Sequence, residues 1–191
     1  DETLAALRAQ AVESGVWLQI GSLGVLTHDA DGRFANRSFL ISPRGEIAAR
    51  YDKIHMFDVD LDNGESWRES AAYEPGKDAR IVDLPFGKLG FAICYDVRFP
   101  SLFRSEAMAG ADILTVPAAF TRQTGEAHWH VLVRARAIET GSFMISSAQA
   151  GQHEDGTVIQ RGEAVMKVIG QGLRRPGCRR HDHWRCQSWK R

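Results

Sequence analysis

Gly90-Phe-Ala-Ile-Cys-Tyr-Asp-Val-Arg-Phe-Pro100 joins an apolar run to a cysteine and then to a sharp break in the chain. Residues 89–93 can be buried as a short strand, because a short apolar run bounded by turn formers suits the interior of a sheet. The strand cannot continue to Pro100, which lacks a backbone donor and pushes Phe99 toward extended geometry. The sequence therefore predicts that Cys94 lies at the end of a strand, where the chain turns toward a helix.

Cys94 has two interpretations at this point. A nucleophilic thiol needs something that favours the thiolate, such as a cation, a general base or the amides at a helix start. Lys53 is a candidate, because it follows a predicted strand over 47–51 and could meet Cys94 at one sheet edge. Alternatively, the cysteine is inert core and the lysine is an ordinary surface charge. These two residues alone leave both interpretations open.

Composition indicates one compact domain with a real core, since the chain has 191 residues, of which 43% are hydrophobic and 25% charged. The formal net charge is zero, which gives no reason to expect a nucleic-acid or membrane partner. No apolar run reaches the length of a membrane span, and the first residues show no signal-peptide pattern. An odd number of cysteines, three, disfavours a disulfide framework and favours a reducing cytoplasm.

The predicted elements change from hairpins to crossovers along the chain. A helix is expected over 3–14, followed by short strands over 16–23, 24–27, 33–41 and 46–51. Residues 55–77 lose periodicity and predict a long loop, a kind of segment that commonly carries function. Strands over 79–84 and 88–94 then lead into an alternating series over 101–109 (helix), 112–116 (strand), 126–140 (helix) and 142–148 (strand). This mixture predicts an α/β sandwich.

Each of the two later helices has a predicted inward face. The first should bury Leu102, Phe103, Ala107 and Met108, and the second Trp129, Leu132, Val133 and Ile138. His128 and His130 could suggest a metal site, but their i, i+2 spacing places them on different helix faces. Asp96 and Arg98 are expected to pair with each other or with neighbours and so hold the turn after Cys94.

Five motifs occur in order along the chain: Tyr51-Asp-Lys-Ile-His55, Trp67-Arg-Glu-Ser70, Cys94-Tyr-Asp-Val-Arg-Phe-Pro100, Pro117-Ala-Ala-Phe120 and Ala127-His-Trp129. Together they resemble the nitrilase superfamily of carbon–nitrogen hydrolases, and most closely its Nit branch. Members of that branch hydrolyse small amides such as ω-amides of dicarboxylic acids and deaminated glutathione. The resemblance covers residues 1–156 as one hydrolase domain. It implies that a segment carrying the main catalytic glutamate precedes Asp1, and that a further strand pair follows Gly156.

The resemblance implies a fold and a mechanism. The α/β fold would be a four-layer αββα sandwich of two mixed sheets flanked by helices, incomplete in this chain, which commonly pairs into a homodimer. The Cys94 thiolate would attack an amide carbonyl, ammonia would leave, and water would hydrolyse the thioester. Lys53 and the backbone N–H of Tyr95 would stabilise the oxyanion, each donor being worth about 3 kcal/mol in a dry site. No cofactor is implied, because thiol chemistry needs none.

The same resemblance assigns residues around the nucleophile. Glu69 would match the family's second glutamate, which orients the lysine and lines the substrate site; a solvated loop carboxylate is the alternative. Phe57, Ala119 and Phe120 are predicted to contact the substrate, although core packing is an equal alternative for Phe120. A packing role is favoured for Trp129 over a binding one.

Beyond Gly156 the composition changes. Residues 172–191 contain six arginines, two tryptophans and two cysteines without helical or strand periodicity, so residues 157–191 are predicted to form a divergent, disordered basic tail. A rival hypothesis makes Cys178, His181, His183 and Cys186 a small zinc site in a nucleic-acid-binding module, but their spacing is not a familiar structural-zinc pattern. A third hypothesis is a catalytically inactive family member that serves as a binding or assembly subunit.

Overall fold

The computed structural model describes residues 2–27, 31–60, 64, 66–149, 151–152, 158–159 and 166–169. The helical elements are α1 (Glu2–Ser14), a 3₁₀-helix (Glu69–Ala71), a second 3₁₀-helix (Cys94–Arg98), α2 (Pro100–Met108), α3 (Arg122–Thr124), a π-helical turn (Gly125–Trp129) and α4 (His130–Thr140). The strands of the first half are β1 (Leu18–Gln19), β2 (Leu23–Leu26), β3 (Phe34–Ile41), β4 (Ile47–Asp52), β5 (Asp58–Asp60), β6 (Ser66–Arg68) and β7 (Tyr73–Glu74). The remaining strands are β8 (Ile81–Leu84), β9 (Gly87–Phe91), β10 (Ile113–Thr115), β11 (Phe143–Ser146), β12 (Gly151–Gln152), β13 (Val158–Ile159) and β14 (Met166–Ile169).

The first sheet is organised around the long strand β3. Strands β1 and β2 pair with β3 antiparallel, with Leu18 opposite Ile41 and Leu23 opposite Arg37. Strand β4 also pairs with it antiparallel, and the short strand β7 pairs with it in parallel. These hairpins carry Lys53 at the end of β4, one residue beyond Asp52.

The second sheet has the order β14-β11-β10-β9-β8. Its three central strands are parallel, and antiparallel strands β8 and β14 lie at its edges. Parallel neighbours need crossover connections, and α2 and the α3–α4 segment supply them. Strands β9 and β10 are parallel neighbours, so their carboxyl ends meet at the same edge of the sheet. The segments that follow them begin with Ala92 and Val116 and leave the sheet at that edge.

The buried residues divide into three clusters that define four layers. One cluster joins the sheets through Leu40 and Tyr51 of the first and Leu89 and Phe91 of the second. A second cluster packs α1 on the outer face of the first sheet and contains Ala11 together with residues of β3. The third packs the helices α2 and α4 on the outer face of the second sheet; its largest members are Phe103, Leu114, Trp129, Val133 and Met144. The fold is therefore α/β, with an αββα layering, as the sequence predicted.

Several predicted boundaries need correction. The strand expected over 16–23 is reduced to the two residues of β1. The later helical segment begins at Arg122, four residues before its predicted start, because Thr121 accepts a hydrogen bond from the Thr124 amide and caps it.

Two predicted core positions are wrong. Met108 is 55% exposed and Ile138 is 70% exposed. In α2 the buried position is taken by Glu106, and in α4 by Arg136, whose guanidinium donates to the Val97 carbonyl at 2.9 Å. Apolar spacing could not identify these two charged residues as core.

The predicted loop over 55–77 is not irregular throughout. It contains a small antiparallel hairpin, β5–β6, with Asp58 opposite Arg68 and Val59 opposite Trp67. The hairpin was missed because its strands have only three residues each, of which one per strand is apolar.

Two short stretches within the predicted tail are described. Strand β13 pairs with β12, and β14 adds an antiparallel edge to β11, with Met144 opposite Val168. These six residues form strands and are not irregular, because Val and Ile favour strands and β11 offers an edge for pairing. The rest of that prediction lies outside the described residues. In the described part of the chain, no helix is long and apolar enough to cross a membrane.

Candidate active site

Cys94 lies at a tight elbow between the second sheet and α2. Strand β9 ends at Phe91, but the chain stays along β10 as the amides of Ala92 and Cys94 donate to the carbonyls of Thr115 and Pro117, at 2.9 and 2.8 Å. Cys94 then opens a 3₁₀-helix, and Pro100 occupies the first turn of α2. The φ of Cys94 is +50°, and Cys94 is the one non-glycine residue with a positive φ among the described residues. Such a conformation is strained and recurs at functional sites.

Asp96 fixes this elbow from behind. The buried carboxylate accepts hydrogen bonds from the Ile93 amide at 2.8 Å, the Tyr51 hydroxyl at 2.7 Å and the His55 amide at 3.0 Å. One of its oxygens also lies 2.7 Å from His55 Nδ1. Tyr51 and His55 flank Lys53 in the sequence. Asp96 therefore joins the lysine segment to the cysteine elbow.

Lys53 is buried and forms an ion pair with Glu69. Its own amide donates to Asn36 on β3 at 2.9 Å, and its carbonyl accepts from Gly76 at 2.8 Å. A side chain at Gly76 would collide with the Asp52 carbonyl, because a Cβ there would lie 2.2 Å from that oxygen. Glycine therefore permits the return loop to lie against the lysine strand and hold Lys53 in place.

Glu69 accepts three hydrogen bonds on its two carboxylate oxygens. One oxygen accepts from Asn36 Nδ2 at 2.9 Å; the other accepts from Lys53 Nζ and from the Phe57 amide at 2.7 Å. Side chains with this many partners have little rotational freedom, so the carboxylate is a fixed acceptor that aims the ammonium group. The alternative, a solvated loop carboxylate, does not fit this geometry.

A cavity of about 570 Å³ opens at the elbow. All seven site residues predicted from the sequence line it: Lys53, Phe57, Glu69, Cys94, Tyr95, Ala119 and Phe120. Its volume falls within the range of about 300–1,000 Å³ that is usual for small-molecule sites. The fold thus brings residues from four separate motifs to one concave surface.

The electrostatic surroundings of the Cys94 thiol work in opposite directions. Burial raises the pKa of the thiol above its ordinary value, and the carboxylates of Glu69 and Asp96 raise it further. The Lys53 charge lowers it. The thiol donates a long hydrogen bond to the Ala119 carbonyl at 3.7 Å. Lys53 is therefore the group here whose positive charge favours the thiolate.

The backbone amide of Tyr95 is a candidate oxyanion donor. It follows the nucleophile at the start of the 3₁₀-helix, and among the described residues it has no acceptor. The Tyr95 ring packs edge-on against Phe57, with ring centroids 5.1 Å apart. Tyr95 lines the cavity, and an amide without an acceptor is available to a ligand.

The remaining predicted positions differ in their relation to the cavity. Phe120 packs against buried Trp129, with ring centroids 4.8 Å apart, so Phe120 serves core packing and also lines the site. Trp129 does not line the cavity and belongs to the core, as expected. Arg98 does not pair with Asp96. Its guanidinium lies over the Tyr95 and Phe120 rings, and Nη2 is 3.3 Å from His128 Nδ1.

No cluster of metal-ligating side chains occurs within the described residues, and the proposed zinc ligands Cys178, His181, His183 and Cys186 lie outside them. Asn36, which holds Glu69, was not predicted from the sequence, and neither were the roles of Tyr51 and His55 around Asp96. Asn36 gives no sequence signal, because it sits in an ordinary strand pattern. Tyr51 and His55 belong to a recognised motif but could be placed against Asp96 only in three dimensions.

Comparison with known proteins gives consistent matches. The carbon–nitrogen hydrolase family model matches residues 1–171. Over 148 residues the chain is 47% identical to a deaminated glutathione amidase of Yersinia enterocolitica, covering 77% of this chain and 52% of that protein. The chain spans about half the length of the curated relatives that it matches.

Solved structures agree with this assignment. The C. elegans NitFhit protein superposes with a TM-score of 0.76 at 36% identity, over 82% of this chain and 38% of that one. An amidase mutant from Nesterenkonia sp. AN1 superposes with a TM-score of 0.72 at 27% identity, over 88% of this chain and 59% of that one. That amidase carries the acetamide moiety of fluoroacetamide, covalently added at its active-site cysteine. The αββα layering, the cysteine elbow and the extent of these matches lead to one conclusion: the chain belongs to the carbon–nitrogen hydrolase family and is a Nit-type member of the nitrilase superfamily.

Proposed function

We propose that this protein hydrolyses the carbon–nitrogen bond of a small amide, with Cys94 as the nucleophile and ammonia as the first product. One observation carries the proposal: Cys94, Lys53 and Glu69 meet in a single cavity, with the cysteine presented at a strained elbow. The names of the relatives support amide chemistry, and an active-site cysteine in the Nesterenkonia amidase forms a covalent adduct.

The first step requires a thiolate. Burial disfavours that charge and Lys53 favours it, so the ammonium group held by Glu69 sets the reactivity of the thiol. The sulfur adds to the amide carbonyl carbon, and negative charge develops on the carbonyl oxygen. Lys53 Nζ and the Tyr95 amide then act on this oxyanion, each donor contributing about 3 kcal/mol in a dry site.

Water is the second reactant in the steps that follow. The tetrahedral intermediate expels the nitrogen as ammonia once that nitrogen has gained a proton, which leaves an acyl thioester on Cys94. Water adds to the thioester carbonyl, the carbon–sulfur bond breaks, and the carboxylic acid and the thiol are released. Among the described residues that line the cavity, Glu69 is the single carboxylate, and Lys53, Asn36 and Phe57 already occupy its oxygens. We assign Glu69 to orienting Lys53 and assign no described residue to proton transfer.

The substrate class follows from the cavity and from the relatives. Aromatic rings of Phe57, Trp67 and Phe120 form much of the wall, and small residues at 118 and 119 allow close approach of the backbone. A short acyl chain fits this lining. Deaminated glutathione, the compound in the names of several relatives, joins a carboxylate-bearing acyl group to a peptide nitrogen, so we propose an amide whose acyl chain ends in a carboxylate. A primary amide of this kind releases ammonia, and a substituted one releases an amine.

The extent of the domain, the oligomeric state, the location and the cofactor are part of the same proposal. The family match, which reaches residue 171, and strand β14, which extends the second sheet, support a hydrolase domain that continues beyond residue 156 into the divergent segment 157–191. The protein acts as a homodimer in a reducing cytoplasm, where an odd number of cysteines stays reduced. It uses no cofactor, since the thiol mechanism needs none.

Ammonia release from a panel of small amides tests the proposal. Cys94→Ala should abolish turnover, whereas Cys178→Ala, which removes a cysteine outside the cysteine motif, should retain it. Preserved ammonia release in Cys94→Ala protein would overturn the assignment of the nucleophile. No turnover by either the parent protein or the Cys178→Ala variant would instead support the inactive-subunit hypothesis.

A further inference from the structure

The charged side chains that line the cavity do not balance one another. Three such residues occur in its described lining: Lys53, Glu69 and Arg68. Lys53 and Glu69 form a buried ion pair. Among the described lining residues, Arg68 therefore contributes a positive charge that no further carboxylate compensates.

Arg68 lies on the β5–β6 hairpin beside Trp67 and Glu69. Its Nη2 donates to both oxygens of the Asp60 carboxylate, at 2.7 and 3.0 Å, and its Nη1 donates to the carbonyls of Val59 and Trp67, at 3.1 and 2.8 Å. Asp60 itself does not line the cavity. Arg68 thus lines the cavity, while its guanidinium group is bound to its own hairpin.

The ion pair with Asp60 is easily exchanged. The side chains are 49% exposed for Arg68 and 73% exposed for Asp60. Exposed pairs of this kind contribute little to stability, so a carboxylate on a ligand can compete with Asp60 for Nη2. Both contacts with Asp60 come from Nη2, so this nitrogen is the donor that a ligand carboxylate would take over.

Aromatic side chains connect Arg68 to the elbow. Trp67 lies next to it, the Trp67 and Phe57 ring centroids are 6.3 Å apart, and Phe57 contacts Tyr95. A ligand that follows these rings has apolar atoms between its two ends. The layout therefore suits an amide at Cys94, a short hydrocarbon spacer and an anionic group at Arg68.

We propose that Arg68 is a specificity-determining residue that binds a carboxylate at the end of the substrate remote from the amide, taking it in exchange for Asp60. This inference rests on the proposed amide hydrolysis and names the residue that selects anionic amides over neutral ones. It makes Asp60 an internal competitor of the substrate. Removal of the Asp60 charge should strengthen binding of an anionic amide, which is an unusual direction for a mutation beside a binding site.

The test measures ligand binding in a Cys94→Ala background, so that turnover does not interfere. Isothermal titration calorimetry compares three matched pairs of probes: succinamate with butyramide, glutaramate with pentanamide, and adipamate with hexanamide. Within each pair a carboxylate replaces a methyl group. Arg68→Gln should weaken the best-bound anionic amide about 10-fold and its neutral partner much less, as expected for loss of a charge-assisted hydrogen bond. Asp60→Asn should tighten the same anion about 3-fold.

Arg80→Gln is the matched control, because it removes the same charge from an exposed residue outside the cavity. Equal losses for anionic and neutral probes in Arg68→Gln, or equal effects of Arg68→Gln and Arg80→Gln, would overturn the inference while leaving amide binding intact. Weaker anion binding in Asp60→Asn would also overturn it. Failure of all six probes to bind would contradict the proposed function itself, and this inference with it.

Discussion

Glu106 provides a prediction whose sign and size follow from its surroundings. Its carboxyl is 1% exposed on α2, where one oxygen accepts from the Phe91 amide at 3.0 Å. The other oxygen has no hydrogen-bond partner in the described part of the chain. Burial, with a smaller contribution from the Asp96 charge, raises the pKa of Glu106 to about 9. Glu106 is therefore neutral in the folded protein at pH 7.

The linkage between protonation and folding fixes the direction of the effect. In the unfolded chain the carboxyl loses its proton near its ordinary pKa of 4.5, whereas in the folded protein it keeps that proton until about pH 9. Between these values the folded state binds one more proton, so the free energy of unfolding falls as pH rises, by at most about 1.4 kcal/mol per pH unit. Glu106→Gln removes this loss and keeps the acceptor for Phe91. We expect a gain of about 1 kcal/mol or less at pH 5 and a gain of about 2–4 kcal/mol at pH 8.

Chemical denaturation at pH 5, 6.5 and 8 measures this difference, with wild type, Glu106→Gln and Glu13→Gln compared in the same buffers. Glu13 is exposed on α1, so its substitution should leave the pH dependence unchanged. Parallel stability curves for wild type and Glu106→Gln would refute the reasoning, because they would mean that the buried carboxyl titrates alike in both states.

The remaining predictions concern the residues around the nucleophile. Asp96→Asn should lower the free energy of unfolding, measured by denaturant titration, by about 2–4 kcal/mol, because it leaves buried donors unpaired. The control Asp83→Asn, at an exposed residue, should stay within about 0.5 kcal/mol of wild type. Equal losses in the two variants would contradict the role of Asp96. Lys53→Met should raise the pKa of the Cys94 thiol and slow its alkylation by iodoacetamide at pH 7.5 about 10-fold. Glu69→Gln should speed alkylation of Cys94, since it removes a charge that raises the pKa of the thiol, yet it should slow ammonia release. Slower alkylation in Glu69→Gln would show that the charge of Glu69 does not govern the thiol.

The parts of the fold that could be predicted are those set by long apolar patterns and strong turn formers. Helix α1 and strands β3 and β4 agree with the expected spans within one or two residues. The short hairpin β5–β6 could not be predicted, because its geometry depends on hydrogen bonds and on the Arg68–Asp60 pair rather than on an apolar face.

The candidate site shows a similar division. Ordered motifs predicted that Cys94, Lys53 and Glu69 belong together, and the cavity contains all three. Charged residues in the core could not be anticipated: Asp96, Glu106 and Arg136 are buried because each has specific partners or a matching protonation state, which are properties of the three-dimensional contacts. Apolar periodicity placed Ile138 in the core instead, although its face of α4 is exposed.

Intact-protein and peptide mass spectrometry, after a reaction with an amide substrate is rapidly quenched, shows whether Cys94 forms the covalent intermediate. We expect an acyl adduct on Cys94 that disappears as substrate is consumed, is absent in Cys94→Ala protein, and leaves Cys178 and Cys186 unmodified. Equal modification of all three cysteines, or amide turnover in Cys94→Ala protein without an adduct, would contradict the claim that this elbow presents the nucleophile.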